Sequence, residues 1–266
     1  MKVPENSFKQ RLLAGDTQYG LWLGLAHMIS AEICASAGFD WLLIDGEHGP
    51  NDLNTILEQL LVIEGYPSQP VVRPPDDDPV FIKQLLETGA QTLMIPMVES
   101  AEQAERAVRA MRYPPEGFRG VGSALARSAN WGRIGDYVHT ANEQMCLLAQ
   151  VESVQGLENL DEIRAVEGVD GVFFGAVDLA ASMGYLGRSN HPEVVRVIED
   201  GLRRVSEAGT WGGVLCADKP HIERYQAAGA RFLAVGVDTM LLSGATSALR
   251  AEFVPDEDGG VVPRSY

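Results

Sequence analysis

Lysine is scarce in this chain, with four among 266 residues at Lys2, Lys9, Lys83 and Lys219. Basic side chains as a class are outnumbered, 21 Lys and Arg against 37 Asp and Glu, giving a formal charge of -16 and a sequence pI near 4.7. Nucleic acid and anionic membrane surfaces reward clustered cations, so neither is expected as a partner. An anionic small molecule would need a local cationic trap. Cysteine is also sparse. Cys34, Cys146 and Cys216 are odd in number, widely spaced and set in apolar runs, which suggests reduced core residues rather than a disulfide framework or a zinc knuckle. No apolar run approaches the roughly 20 residues a membrane span requires. The opening MKVPENSFKQRLLAG lacks an apolar signal region. A cytoplasmic enzyme or binding protein is the expectation.

What is present is an alternation. Short β-branched or apolar runs at 20–26, 40–45, 69–74, 91–97, 145–152, 168–175, 212–217 and 231–238 predict eight strands. Between them lie segments of helical period, such as NDLNTILEQLLVIEG, DPVFIKQLLETGA, SAEQAERAVRAMR and HPEVVRVIEDGLRRVSEAG, several opened by Asn, Asp or Ser and closed by Gly. Eight strands each followed by a helix predict a (β/α)8 barrel, one domain over residues 1–253 with a polar tail at 254–266. A doubly wound open sheet is the runner-up, and the Gly-rich first turn it would want is missing.

In such a barrel the chemistry sits where the strands end. The second strand ends in Asp45, Glu47 and His48, the third in Arg73, the fourth in Pro96, Met97 and Glu99, the fifth in Gln150 and Glu152, the sixth in Gly175 and Asp178. Each has an ordinary structural use: Asp45, Glu152 and Asp178 suit helix caps, Arg73 an ion pair with Glu99 or Glu152, His48 a loop. Convergence from four strands favours an active site instead. Glu152 and Asp178, on neighbouring strands, suit a hard divalent cation such as Mg2+ or Mn2+. Arg73 offers a planar, permanently charged fork for a carboxylate or a developing oxyanion. His48 suits an acid or base near neutral pH, held in one tautomer by Asp45. Together these point to enolate chemistry on a chelating 2-oxo acid. No lysine stands at a predicted strand end, so a Schiff-base aldolase is not expected. GVDTMLLSG after the eighth strand lacks the glycines of a barrel phosphate site, which argues against sugar phosphates.

The stretches LLIDGEHGP, QPVVRP, TLMIPMVESAEQAERAVRAMRYPPEGFRGVGSALARSANWG, QVES, VDGVFFGAVDLAASMGY and AVGVDTMLL resemble the metal-dependent (class II) pyruvate aldolases, over nearly the whole chain from NSFKQRLLAG onward. The resemblance implies retro-aldol cleavage of 4-hydroxy-2-oxoheptane-1,7-dioate into pyruvate and succinate semialdehyde, using Mg2+, Mn2+ or Co2+. It puts the metal carboxylates on Glu152 and Asp178, the substrate arginine on Arg73, and the imidazole with its orienting acid on His48 and Asp45. Gln150 and the backbone of Gly175 and Ala176 would hold the pyruvyl unit. Trp22, Val121 and Leu215 would wall the aldehyde pocket, though each also suits an ordinary core. Hexamers built from barrel dimers, with sites near subunit boundaries, are implied too.

Three positions depart from the family pattern. Ala176 and Val177 replace a Pro-Ala pair beside Asp178, so Val177 is expected on the aldehyde side. His27 stands where a small polar residue is usual, and Glu87 where a relative carries Asp. The excursion from Tyr113 to Asn142, rich in Gly, Arg and Ser, is long enough to predict a lid or a subunit contact. Two other readings remain: an aldolase for sugar-derived 2-oxo-3-deoxy acids, and a dicarboxylate-binding barrel without turnover. The second is disfavoured because mere binding needs no proton carrier.

Overall fold

The computed structural model describes residues 1–254 and closes eight parallel strands into a barrel in sequence order. The strands are β1 (Gln18–Leu23), β2 (Trp41–Asp45), β3 (Gln69–Arg73), β4 (Thr92–Ile95), β5 (Cys146–Val151), β6 (Val169–Phe174), β7 (Trp211–Leu215) and β8 (Ala230–Val237). Around them run α1 (Ser7–Leu13), α2 (Met28–Ser36), α3 (Leu53–Ile63), α4 (Pro79–Glu87), α5 (Ala101–Met111), α6 (Tyr137–Gln144), α7 (Val154–Glu158), α8 (Leu160–Arg164), α9 (Ala176–Ser182), α10 (Pro192–Glu207), α11 (Lys219–Ala227) and α12 (Asp238–Phe253). The expected barrel is therefore the fold, and every expected strand is found. The first strand starts earlier than its apolar run and stops at Leu23. The fourth stops at Ile95 because the next residue, Pro96, has no N–H for the ladder. The tail expected at 254–266 lies, from residue 255, outside the described residues.

Local chemistry starts the helices where capping predicts. Asp52 accepts from the N–H groups of Asn54 and Thr55 while Thr55 Oγ1 accepts from the Asp52 N–H, a reciprocal box ahead of α3. Asp78 caps α4, with Pro79 in its first turn, and Ser100 caps α5.

The pleat of each strand divides the core into two shells. On β2, Leu42 and Ile44 face the helices while Trp41 and Leu43 face inward. The same alternation puts Val71 inside and Val72 outside on β3, and Leu148 inside with Leu147 and Ala149 outside on β5. Phe8 and Leu12 of α1, both fully buried, join the inner shell with Trp41 and Phe232 at the N-terminal end of the barrel.

The excursion between α5 and β5 leads into the N-terminal end of a strand, so it lies at the face opposite the strand carboxyl ends. It has a small core of its own, Tyr113, Ala129, Ile134, Tyr137 and Ala141. Buried Arg119 pairs there with Glu87 at 3.0 Å and stacks over Tyr113 at 4.4 Å. It is not a lid over its own barrel mouth, which corrects one of the two expectations for it. Cys34, Cys146 and Cys216 are free thiols, and among the described residues no helix is long and apolar enough to cross a membrane.

The inner shell tolerates no added atoms where Trp41 lies flat on β1. A Cβ on Gly20 would collide with its fully buried indole. Gly20→Ala is therefore expected to destabilise the barrel by about 1–3 kcal/mol, lowering Tm by roughly 2–10 °C in a thermal melt. An unchanged Tm would mean that Trp41 has another place to go.

Candidate active site

The alternation that fills the inner shell also builds the site. Asp45 follows Trp41 and Leu43 in the inward phase of β2, Arg73 follows Val71 on β3, and Gln150 and Glu152 follow Leu148 on β5. Each is an inward position one or two pleats beyond the last apolar residue, where a barrel of finite height opens to solvent. A polar side chain is required there.

Asp45 and Arg73 are register partners on adjacent strands. Arg73 donates from Nε to Asp45 Oδ1 at 2.9 Å and from Nη2 to Oδ2 at 2.7 Å. Trp22 Nε1 donates to the same carboxylate at 3.0 Å, and the guanidinium lies 5.0 Å from the Trp22 ring centroid. Burial alone would raise the Asp45 pKa. The hydrogen bonds and charge of Arg73 outweigh it and hold the carboxyl below its ordinary value. The third nitrogen of Arg73, Nη1, lies 2.7 Å from Glu47 Oε2 and 3.5 Å from Gln150 Oε1. The ion pairs suggested with Glu99 or Glu152 do not form. Glu99 accepts instead from Ser153 Oγ.

The expected pairing of the Asp45 carboxylate with the His48 ring is also absent. Asp45 Oδ1 accepts from the backbone N–H groups of Glu47 and His48, so it shapes the turn and leaves the imidazole alone. The carboxylate facing the ring is Glu47, 3.8 Å from Nε2, with His48 itself at the open rim.

Glu152 is buried, accepting from the Met97 N–H at 2.9 Å and from Gln150 Nε2 at 2.5 Å. Met97 stands at φ 50, left-handed backbone that a methionine rarely adopts, and this turns its N–H toward the carboxylate. Burial, with the nearby negative charges of Asp178 and Glu47, pushes the Glu152 carboxyl up to about 7 against the lowering effects of the Met97 N–H and of Arg73. Gly175 makes this possible, because any Cβ there would overlap Glu152 Oε2. Asp178 follows in the first turn of α9.

Asp45, His48, Arg73, Gln150, Glu152 and Asp178 line one cavity of about 540 Å³. Its lining includes Trp22, Asp45, His48, Arg73, Gln150, Glu152, Gly175, Ala176, Val177, Asp178 and Leu215, which is every residue given a catalytic, metal or substrate role from the sequence except Val121; the strand-end residues Glu47, Pro96, Met97 and Glu99 are not in it. Val121 sits in the excursion at the other face, 67% exposed, and does not wall the cavity of its own chain. His27 is a helix cap, its Nδ1 accepting from the Ile29 N–H, and is not part of the lining. The sequence reading gave no role to Glu47, the Met97 N–H or Thr239. It also passed over Asp238, whose carboxylate accepts from Gly24, Leu25 and Thr239 N–H groups and ties β8 to β1 at the mouth. Glu47 is visible in the sequence as a strand-end acid, but its contacts with Arg73 and His48 are made from the turn after β2 and are not written in its spacing. The Met97 conformation leaves no mark in composition.

The charges do not balance within the protein. Arg73 is ion-paired with Asp45 and Glu47, which leaves Glu152 and Asp178 facing the same cavity without an ion-paired cation among the described residues. Among the described residues no group of three or more His, Cys, Asp and Glu forms a cage for a metal ion. Two carboxylates, all-oxygen donors and open remaining positions fit a hard divalent ion that keeps sites for water and substrate.

Residues 18–245 match the model of the HpcH/HpaI aldolase/citrate lyase family. A 4-hydroxy-2-oxo-heptane-1,7-dioate aldolase of Shigella sonnei is 58% identical over 249 residues, covering 94% of this chain and 95% of the relative. A hydroxypyruvate/pyruvate aldolase of Pseudomonas aeruginosa is 56% identical over 253 residues, covering 95% and 94%. Among solved structures, an HpcH/HpaI aldolase/citrate lyase family protein from Burkholderia cenocepacia superposes with a TM-score of 0.89 at 41% identity, over 93% of this chain and 98% of that one.

The raised Glu152 carboxyl has a consequence for the metal-free protein. Between its ordinary value of 4.5 and about 7 the folded chain holds a proton that the unfolded chain has released. Its stabilising contribution is thus complete below the lower value and lost as pH rises through the upper one. In chelator-treated protein, Tm should fall between about pH 5 and about pH 8 more steeply for wild type than for Glu152→Gln, which cannot titrate. Parallel profiles would remove Glu152 as the source.

Proposed function

The chain belongs to the HpcH/HpaI aldolase/citrate lyase family, and from that premise we propose that it cleaves 4-hydroxy-2-oxoheptane-1,7-dioate, and related 4-hydroxy-2-oxo acids, to pyruvate and an aldehyde. For the seven-carbon diacid the aldehyde is succinate semialdehyde. The observation that carries this reading is a single cavity holding a guanidinium, an imidazole and an uncompensated carboxylate pair. A divalent ion, Mg2+, Mn2+ or Co2+, is assigned to Glu152 and Asp178, where it would supply Lewis-acid polarisation of the 2-oxo group.

The chain's own residues do the rest. Arg73 directs its Nη1 to the oxyanion that develops at C2, in a site where Asp45 fixes the other edge of the guanidinium. Gln150, oriented by its bond to Glu152, and the backbone of Gly175 and Ala176 hold the pyruvyl carboxylate end. His48 takes the proton of the C4 hydroxyl. The C3–C4 bond then breaks, its electron pair passing to the C2 oxygen, and the aldehyde leaves. The proton held by His48, directly or after exchange with solvent, then passes to C3, which completes pyruvate and restores the neutral imidazole. Trp22, Leu215 and Val177 give the aldehyde half an apolar wall that limits its size and excludes water.

The assembly is proposed to be a hexamer of three dimers acting in the cytoplasm. Leu241, Leu242, Leu249 and Phe253, all more than half exposed on α12, support burial against another copy.

The test is a coupled assay of pyruvate release across a panel of 4-hydroxy-2-oxo acids, including sugar-derived 2-oxo-3-deoxy acids, with hydroxypyruvate as an alternative donor in the reverse direction. Exhaustive chelation is expected to abolish activity and a divalent cation to restore it. Borohydride with substrate should trap nothing, since no lysine lines the cavity. Full activity without metal, or covalent trapping, would overturn the assignment. Release of pyruvate from the deoxy-sugar acids alone would move the substrate to that class.

A further inference from the structure

Two carboxylates from one turn compete for one guanidinium, and they are not equivalent. Asp45 holds Arg73 through two aligned hydrogen bonds and is held in turn by Trp22 and two backbone N–H groups. Glu47 approaches Nη1 to 2.7 Å, yet its Oε2 is buried without a hydrogen bond of good geometry. Burial raises its pKa, as do Asp45 and Asp178, while Arg73 and His48 act in the opposite sense. Glu152 also faces this negative cluster. Glu47 is thus the loosely bound partner, set on the one Arg73 nitrogen that an incoming oxyanion could take. The same oxygen is 3.8 Å from His48 Nε2, a small side-chain rotation from a hydrogen bond.

We propose that Glu47 is a placeholder carboxylate. It neutralises Arg73 Nη1 in the empty site, yields that nitrogen to the oxyanion of the 2-oxo acid, and passes to the His48 imidazole. The base is then oriented only when substrate is bound. No bond is made or broken in the exchange. Glu47 is a positioning residue acting through Arg73 and His48, and the inference rests on the roles given to those two above.

Oxalate, a planar dianion resembling the enolate of pyruvate, is the probe. In a crystal structure of the magnesium-loaded protein with oxalate, the Glu47 carboxylate is expected off Arg73 Nη1 and within about 3.2 Å of His48 Nε2. With saturating magnesium, Glu47→Gln removes the competing charge without changing shape. The KM for the 2-oxo acid and the Kd for oxalate should fall severalfold, while kcat falls roughly tenfold or more as His48 loses its orienting partner. A residue that merely supported Arg73 would give the reverse split, a raised KM with kcat little changed. That result, or Glu47 still seated on Arg73 in the oxalate complex, would overturn the proposal. If Glu47→Gln does not fold, the wild-type complex decides alone. An inactive metal-loaded wild type would instead undo the proposed activity itself.

Discussion

The ion pair between Asp45 and Arg73 is the contact on which the rest of the mouth depends. Both side chains are buried, and a buried charge that loses its partner costs about 3–5 kcal/mol, so replacing either one alone lowers stability without a compensating contact. The pair is intelligible as a functional device because an isolated guanidinium could not be held inside a barrel, while one held along a single edge keeps another edge for a ligand. Parallel register puts the two residues side by side, and the indole of Trp22 fixes the carboxylate from β1. Three neighbouring strands therefore share one charge arrangement, and the turn carrying Glu47 and His48 is shaped by the same carboxylate.

On the other side of the cavity the charge is left unbalanced. Glu152 receives two donors, the Met97 N–H and the Gln150 amide, but no cation, and it remains costly to ionise. The strained Met97 backbone and the enforced glycine at 175 both serve that carboxylate. Local strain of this kind persists where the surrounding structure imposes it, and it concentrates at functional sites. One half of the mouth thus presents an edge of a guanidinium and the other a pair of carboxylates, Glu152 and Asp178. A 2-oxo acid chelating a divalent ion would span both.

Much of this was legible in the sequence because strand phase and strand end are both visible there. WLLID and QPVVR show an apolar period of two ending on a charged residue, and the pleat does the remainder. The partners of each charge were less legible. Asp45 was expected to orient His48, but the register sets it against Arg73, and pairing across strands is not written in the spacing of a single segment. Val121 shows a different limit. Its chain segment returns to the N-terminal face, so a position matched by resemblance lies far from the cavity of its own chain. The excursion around it was long enough to suggest a lid, yet it packs as a separate small core around Tyr113 and Tyr137. Helix direction, which decides that face, follows from the order of elements and not from loop composition.

The central claim is that the edge of Arg73 left free by Asp45 stabilises charge developing on the pyruvyl unit. The most direct measurement is proton exchange at the methyl group of pyruvate, followed by NMR in deuterated buffer with saturating magnesium, with melting temperatures controlling for folding. Wild type should exchange the methyl protons without any aldehyde present. Arg73→Ala should abolish exchange, and Arg73→Lys should restore little, because an ammonium cannot reproduce the planar fork. Exchange at the wild-type rate in folded Arg73→Ala would contradict the account.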